Sequence, residues 1–420
     1  MTLPLPLPLP LTSFAALSLA LLFLPTAKAF SPRYHVCIAS SPRSRAARRP
    51  FPPEANSSAN ADVVRVDDDT AAAAIANDDD GKDNRRECGV LVLDHLNINH
   101  ERGRHDALKA FYFDFLGCAI DPRKYENYLA GEKTVWANIG MHQFHLPEGK
   151  PDAQVFDGLI TLVYDDLEGL MDRHRAYLDG DERFAPLKDS EFLVGVVDDM
   201  MLVTDPWGSQ FCILQSDDPI EDRAAHVGVQ PIEEGYGPSA GLAMEDLTVY
   251  VPHGANLEGI GRFYERVLGA LVVEDLSSDQ SISVAMGERQ TLTFQYHPEG
   301  PSAEVMHYDF SYDQQDGDVD ASLPVYPSNH GPHISLYVTD LSSAYKRAEE
   351  LGVLYVNPRF KRRAYTEEEA VDQCMFRIID IYDPLDKERD IIISLEHEVR
   401  SAKTSDGKKY KSCPLLEIPV

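Results

Sequence analysis

The segment KAFYFDFLG at positions 109–117 returns as GRFYERVLG at positions 261–269. Self-similarity at that distance marks a repeated supersecondary unit, which buries its apolar face by stacking on neighbours. In the first copy Leu108, Phe111, Tyr112, Phe115 and Leu116 form one helical stripe. Ile260, Phe263, Tyr264, Val267 and Leu268 repeat it. Gly117 and Gly269 then end the helices. Each copy follows a strand-like run, Val90 to Asn99 or Leu247 to Val251, and each closes on a similar strand, MHQFHLPEG at 141–149 or LTFQYHPEG at 292–300.

A second kind of unit alternates with the first. LITLV at 159–163 leads into a helix with Leu170, Met171, His174 and Leu178 inward. HISLY at 333–337 leads into one with Ala344, Tyr345, Ala348 and Leu351 inward. Each unit then passes through an Asp-Pro turn, Asp205-Pro206 or Asp383-Pro384, where proline presets φ, into a last strand at Phe211–Gln215 or Ile391–Glu398. The pattern is strand, helix and about three strands, four times over, with helices expected near 105–116, 166–179, 257–268 and 341–351. The acidic, turn-rich stretch from Pro301 to Asn329 reads as a connection with little regular structure. No GxGxxG is present, so nothing supports a dinucleotide-binding fold.

The motifs LDHLNI, FYxxxLG, QFHLP and DPWGSQF, in register over nearly all of residues 88–400, resemble the vicinal-oxygen-chelate superfamily of glyoxalases, bleomycin-resistance proteins and dioxygenases. The resemblance implies an α+β fold of four βαβββ modules, at 88–149, 155–217, 241–300 and 331–400, pairing into cupped eight-stranded mixed sheets, with residues 401–420 as a tail. It also implies a divalent metal in the cup, held from the first and last strands of each module. The matching positions are His95 and His145, Leu159 and Gln215, Asp246 and Gln295, and His333 and Glu396. Pairing module one with four would gather His95, His145, His333 and Glu396 on one metal, whether Fe, Zn, Ni, Co or Mn. Pairing in chain order would leave Asp246, Gln295, His333 and Glu396. The strand period sets His142 opposite His145, and His397 opposite Glu396 and Glu398. Glu396 or Glu398 is the implied catalytic base. The implied function is a metal-dependent enzyme acting on a small oxygen-rich molecule, either a glyoxalase-like lyase or isomerase or an extradiol-type dioxygenase. The alternative is a non-catalytic protein that binds or sequesters a small molecule or metal.

Other residues read as structural. Tyr112 and Tyr264 belong to the core, and Trp136 and Trp207 to packing. His100, His105, His226, His253, His297 and His307 fall in loops or strand ends, where solvation is the default. Glu367–Glu369 is a solvated run. The six cysteines are scattered without a CxxC pair, which argues against a disulfide framework or a thiolate zinc site. Cys118 and Cys212 read as buried free thiols.

A net charge of −30 disfavours nucleic acid and anionic membranes as partners of the mature chain. Tandem modules make a monomer sufficient. Residues 1–29 are uncharged until Lys28, with an apolar run from Phe14 to Leu24, and Ala27 and Ala29 form a small-residue cleavage site. Residues 30–53 hold five arginines and no acid before Glu54, the composition of a transit peptide. This pair resembles the two-part leader of algae with secondary plastids; ordinary secretion is the alternative. Residues 54–86 read as a disordered acidic linker. Residues 1–53 fused to a fluorescent protein are expected to direct it to the plastid of such an alga. Fluorescence in the medium or the cytosol would refute the plastid reading.

Overall fold

A computed structural model describes residues 88–149, 152–197, 200–216, 238–311 and 324–415. The leader and linker, His226 and the end of the tail lie outside the described residues. Residues 312–323 of the Pro301–Asn329 connection do as well. The rest of that connection carries only the two-residue strands β12 (Phe310–Ser311) and β13 (Ser328–Asn329). Among the described residues no helix is long and apolar enough to cross a membrane.

The first module comprises β1 (Val90–Asn97), a helix α1, β2 (Ala119–Ile120), a short helix α2 (Tyr125–Ala130), β3 (Val135–Ile139) and β4 (His142–Leu146). Helix α1 begins α-helical at His105–Leu108 and continues as a π-helix over Lys109–Phe115, with Phe111, Tyr112 and Phe115 buried. The second module comprises β5 (Gly158–Tyr164), α3 (Glu168–Asp179), β6 (Leu193–Val197), β7 (Met200–Thr204) and β8 (Gln210–Gln215). The third comprises β9 (Gly241–Val251), α4 (Leu257–Leu268), β10 (Ser281–Ala285) and β11 (Thr291–Tyr296). The fourth comprises β14 (His333–Val338), α5 (Leu341–Leu351), β15 (Leu354–Tyr355), α6 (Glu367–Gln373), β16 (Met375–Tyr382) and β17 (Ile391–Ser401).

Local chemistry sets the helix ends. Asn256 accepts from the Gly259 N–H to start α4, and Gly269 ends it at φ +68°. Asp340 and Gly352 do the same for α5, while Thr366 and Glu369 form a capping box on α6. In α3 the inward stripe differs from the expected one. Leu178 is exposed, and Tyr177 packs on Phe192 instead, with ring centroids 5.0 Å apart. Seven residues bring a helix back to the face of Leu170; eight overshoot it.

The first and last modules share one sheet, in the order β15-β16-β17-β14-β1-β4-β3-β2. The two middle modules share the other, β10-β11-β9-β5-β8-β7-β6. Modules therefore pair one with four and two with three. Antiparallel β1–β14 and β5–β9 contacts form the joints. The second sheet has seven strands rather than eight. The strand expected after α4 is reduced to a single bridge, Val272 to Val284, before a tight turn at Glu274–Leu276. One continuous core takes side chains from both sheets and the main helices, and includes Tyr112 and Tyr264.

The sheets lock through reciprocal contacts between a hairpin of one and the bulged first strand of a module in the other. A β-bulge at Asp94 in β1 interrupts the ladder, and the side chain of Gln290 accepts the neighbouring Leu93 N–H at 2.9 Å. A bulge at Glu245 in β9 does the same, and His142 Nδ1 accepts the Met244 N–H at 3.1 Å. His142, facing away from His145 as its spacing requires, is thus structural. Gly140 sits against the Leu242 carbonyl and Gly287, at φ +107°, against that of Leu91. An added Cβ would come within 1.6 and 2.2 Å of those oxygens.

The histidines expected in solvent are mostly inside. His100, His105, His297 and His307 are buried, and His253 is exposed as expected. His105 Nε2–H donates to the Lys133 carbonyl, and its Nδ1 accepts from His100 Nε2 at 3.1 Å. Backbone and ring contacts replace part of what water would supply, while His100 Nδ1 and His307 Nδ1 have no partner. All described cysteines are free, and Cys118 and Cys212 are buried; burial pushes the Cys118 thiol up to about 12.

Two outcomes follow from these contacts. Gly140→Ala and Gly287→Ala are each expected to cost about 3 kcal/mol, and Gly103→Ala, which faces open space, about 1 kcal/mol; thermal unfolding checks the ranking. Burial lowers His100 to about 3, so below pH 6.5 the unfolded chain takes up a proton that the folded chain refuses. Stability is full above pH 6.5 and falls as pH drops towards 3. The loss is about 1 kcal/mol per pH unit from this residue. Urea unfolding at pH 7.5 and 5.5 is expected to show it, and His100→Gln to flatten it.

Candidate functional site

Alternation along the strands of the first sheet separates a core face from a cup face. On β17, Leu395, His397 and Val399 face the core, and Glu396, Glu398 and Arg400 the cup. His397 accepts from the Tyr264 hydroxyl and donates to the Leu395 carbonyl, which removes it from the cup.

Register then lays the cup residues in two rows. One row runs Asn138, Gln143, His95, Ser335, Glu398 and Arg377 across six strands. The next runs Trp136, His145, Asn97, His333 and Glu396. The cross-strand neighbour of His145 is therefore Asn97, while His95 lies beside Gln143. His333 and Glu396 are direct neighbours. The bulge at Asp94 turns that carboxylate to the same side as His95, and the His95 Nδ1–H donates to Asp94 Oδ2 at 2.8 Å.

Three of the four residues expected to share a metal do converge. The rings of His95 and His145 stack with centroids 3.6 Å apart, and His333 meets His95 edge-on at 5.9 Å. Their donor atoms have other engagements. The Gln143 amide donates to Asp121 and Asn138, which leaves its oxygen to accept from His145 Nε2–H at 2.6 Å. That nitrogen offers no lone pair. Glu396 is fully buried, takes amide N–H groups from Asn329 and Asn357 at 2.8 Å each, and pairs with Arg377. Glu398 is bound by Arg377 and Arg400. Of these four side chains His95 carries a buried, unpartnered acceptor, Nε2, and among the described residues His333 makes ring contacts to His95 and Phe360.

Two imidazoles fall short of the three or four protein donors a catalytic or structural metal takes. Among the described residues no group of three or more His, Cys, Asp or Glu is disposed to hold a metal ion. As arranged, these donors do not fit a divalent ion.

Ionisation states in the cup are pinned. Burial lowers His95 against the pull of Asp94. Burial and then Arg377 hold His333 well below the usual imidazole range. Burial works to raise Glu398, but Arg377 and Arg400 outweigh it and hold the carboxyl well below its usual range. Arg400 is raised well above its own range despite burial, chiefly by Glu398.

The cup opens into a cavity of about 310 Å³ whose lining includes Trp136, Arg123, Lys361, Arg362, Arg377 and Arg400. Trp136 is part of the site, contrary to the packing role expected of it. It stacks on His145 at 4.3 Å, under the cations of Arg123 and Lys124 at 4.6 Å each. Trp207 sits elsewhere, beside His100.

The second sheet has a different cup. Asp246 accepts from the hydroxyls of Thr248, Thr291 and Thr293 at 2.6 to 2.7 Å. Gln295 lies beside Tyr250, two rows along, and Leu159 packs with Leu202 and Cys212. Gln215 is exposed. Neither Asp246 nor Gln295 shares a sheet with His333 and Glu396.

Paired modules, each opening on a strand whose neighbour is the parallel closing strand and joined through their first strands, decide the architecture. The chain has the vicinal-oxygen-chelate fold. No family model and no curated protein sequence matches it. Glyoxalase I from Zea mays aligns at a TM-score of 0.40 and 12% identity, over 74% of this chain and 92% of that one. A putative dioxygenase from Bacillus subtilis gives 0.41 and 11%, over 79% and 93%. The 2,3-dioxygenase LapB from Pseudomonas sp. KL28 gives 0.23 and 14%, over 77% and 97%. At such distances no residue role transfers to this chain.

Proposed function

We propose that the cup of the first sheet is a binding site for a small, oxygen-rich anion. The observation that carries this reading is the cationic lining of the cavity in a chain of net charge −30. Lys361 and Arg362, at the rim, have no carboxylate partner among the described salt bridges; Arg362 instead donates to the Tyr410 hydroxyl. A cavity of about 310 Å³ suits a small ligand, with Trp136 and Phe360 as its aromatic walls. Pinned ionisation states favour holding a ligand over moving protons, because general acid–base chemistry needs a group that titrates near the working pH.

Turnover is the second reading, and one observation favours it. His95 is oriented by Asp94 and keeps an unpartnered Nε2, the arrangement of a carboxylate-backed base. Among the implied reactions, a lyase or isomerase step that shifts a proton beside a carbonyl is the one such a base could serve.

Thermal shift and calorimetry with 2-oxo and 2-hydroxy carboxylates, aromatic carboxylates and phosphate esters test the binding reading. At least one anion is expected to stabilise the protein, more weakly at high salt. Lys361→Ala with Arg362→Ala is expected to weaken it about tenfold, or about 1.4 kcal/mol. Stabilisation by neutral compounds alone would overturn the reading. Ligands that bind are then followed by NMR in deuterium oxide. Exchange at the carbon beside the carbonyl that falls about 10²-fold or more in His95→Gln would establish the enzyme reading.

A further inference from the structure

The Arg377 guanidinium bridges two buried carboxylates on adjacent cup positions, Glu396 and Glu398, and lies over the Phe360 ring at 4.1 Å from its centroid. Its side chain is only 5% exposed. Its Nε–H has no partner, although both terminal nitrogens are engaged. In the same row His95 Nε2 and the Ser335 hydroxyl are likewise buried and unpartnered.

We infer that Arg377, and not a metal ion, supplies the fixed positive charge of this cup. Charge balance supports this. The buried carboxylates at this cup are Asp94, Asp121, Glu396 and Glu398. Arg123 answers Asp121. Arg377 answers Glu396 and shares Glu398 with Arg400, which also lies 3.9 Å from Asp94. Arg359, at the same end of the cup, donates to the Asn329 carbonyl, and its charge acts on Glu396. Four acids thus face four guanidinium groups, and burial lowers His95 and His333 towards the neutral form. A divalent ion would add two uncompensated charges to a buried, already neutral cluster, which is costly.

The unpartnered atoms are also of the wrong character for a metal. A metal needs lone pairs, but Arg377 Nε offers an N–H, and Ser335 offers a hydroxyl that can donate. Together with the lone pair of His95 they suit the oxygens of water or of a ligand, which can accept from Arg377 and Ser335 and donate to His95. The cation of this cup is thereby part of the polypeptide, and its acidic partners hold it in place.

The test is metal content and metal response, read on the full chain. Wild type, purified without chelator, is expected to contain well under one equivalent of Fe, Zn, Ni, Co or Mn by elemental analysis. Added Zn²⁺, Ni²⁺ or Mn²⁺ is expected to leave its Tm unchanged. Arg377→Gln leaves Glu396 without a guanidinium partner and Glu398 with Arg400 alone: its Tm is expected to fall and to recover on adding one of these ions. Arg377→Lys keeps a cation in the cup and is expected to stay indifferent to metal. About one equivalent of metal in wild type, lost in His95→Ala or His333→Ala, would overturn the inference. If Arg377→Gln does not fold, wild-type metal content and the lysine variant still decide. The inference rests on the ligand-site reading only for the role of Arg377 towards an anion. Anion binding that survives EDTA supports both. Metal-free protein that binds no anion leaves the inference standing and removes that reading. Anion binding abolished by EDTA and restored by metal removes the inference alone.

Discussion

Everything in the candidate site depends on the antiparallel pairing of β1 with β14. Each belongs to a module with its own parallel closing strand, and each brings half of a cup. Only when the two meet do His95 and His333 share a floor, and only then does Arg400 of the last strand come within reach of Asp94 on the first. The joint is irregular for a reason. The bulge that points Asp94 into the cup also strips a ladder partner from the Leu93 N–H, and the other sheet supplies the missing acceptor through Gln290. The geometry of the site and the packing of the two sheets are fixed by the same displaced residue.

The first cup is an ion-pair lattice rather than an apolar pocket. Buried pairs of this kind contribute little net stability compared with hydrophobic replacements, but removing one member strands its partner at a cost of about 3–5 kcal/mol. That asymmetry makes the lattice rigid without making the protein especially stable. The second cup, with Asp246 caged by three threonine hydroxyls next to an apolar cluster, has no such lattice. The two sheets share a plan and differ in what their concave faces present.

Much of the architecture was legible in the sequence. The aromatic stripes around Phe111 and Phe263 and their terminal glycines mark two helices, and α4 and α5 fall where their periodicity sets them. The strand period placed His142 and His397 on the far side of their sheets. Register was not legible. A bulge leaves no signature in the pattern of LDHLNI, so nothing in it told that His145 would sit beside Asn97 and that His95 would stack diagonally above it. Arg377 was missed, although a signal existed. It is a lone cation in the apolar strand MFRIIDIY, one strand before two alternating glutamates. A charge in such a strand needs a partner, and the strand period aims it at those acids. Trp136 was read as packing because a half-buried indole beside a strand histidine looks the same in sequence whether it lines a cavity or fills one.

The nesting of modules two and three inside modules one and four has a consequence for how the chain reaches this structure. The middle sheet joins β5 and β9, fewer than a hundred residues apart in the chain, whereas β1 must wait for β14, more than two hundred residues downstream. Loop closure over that length is slow, and contacts of this order dominate folding times. On a ribosome the inner pair can assemble first, while β1 remains an unpaired strand edge of the sort that recruits other chains. The order of synthesis thus makes the last module both the completion of the site and the cover for the first.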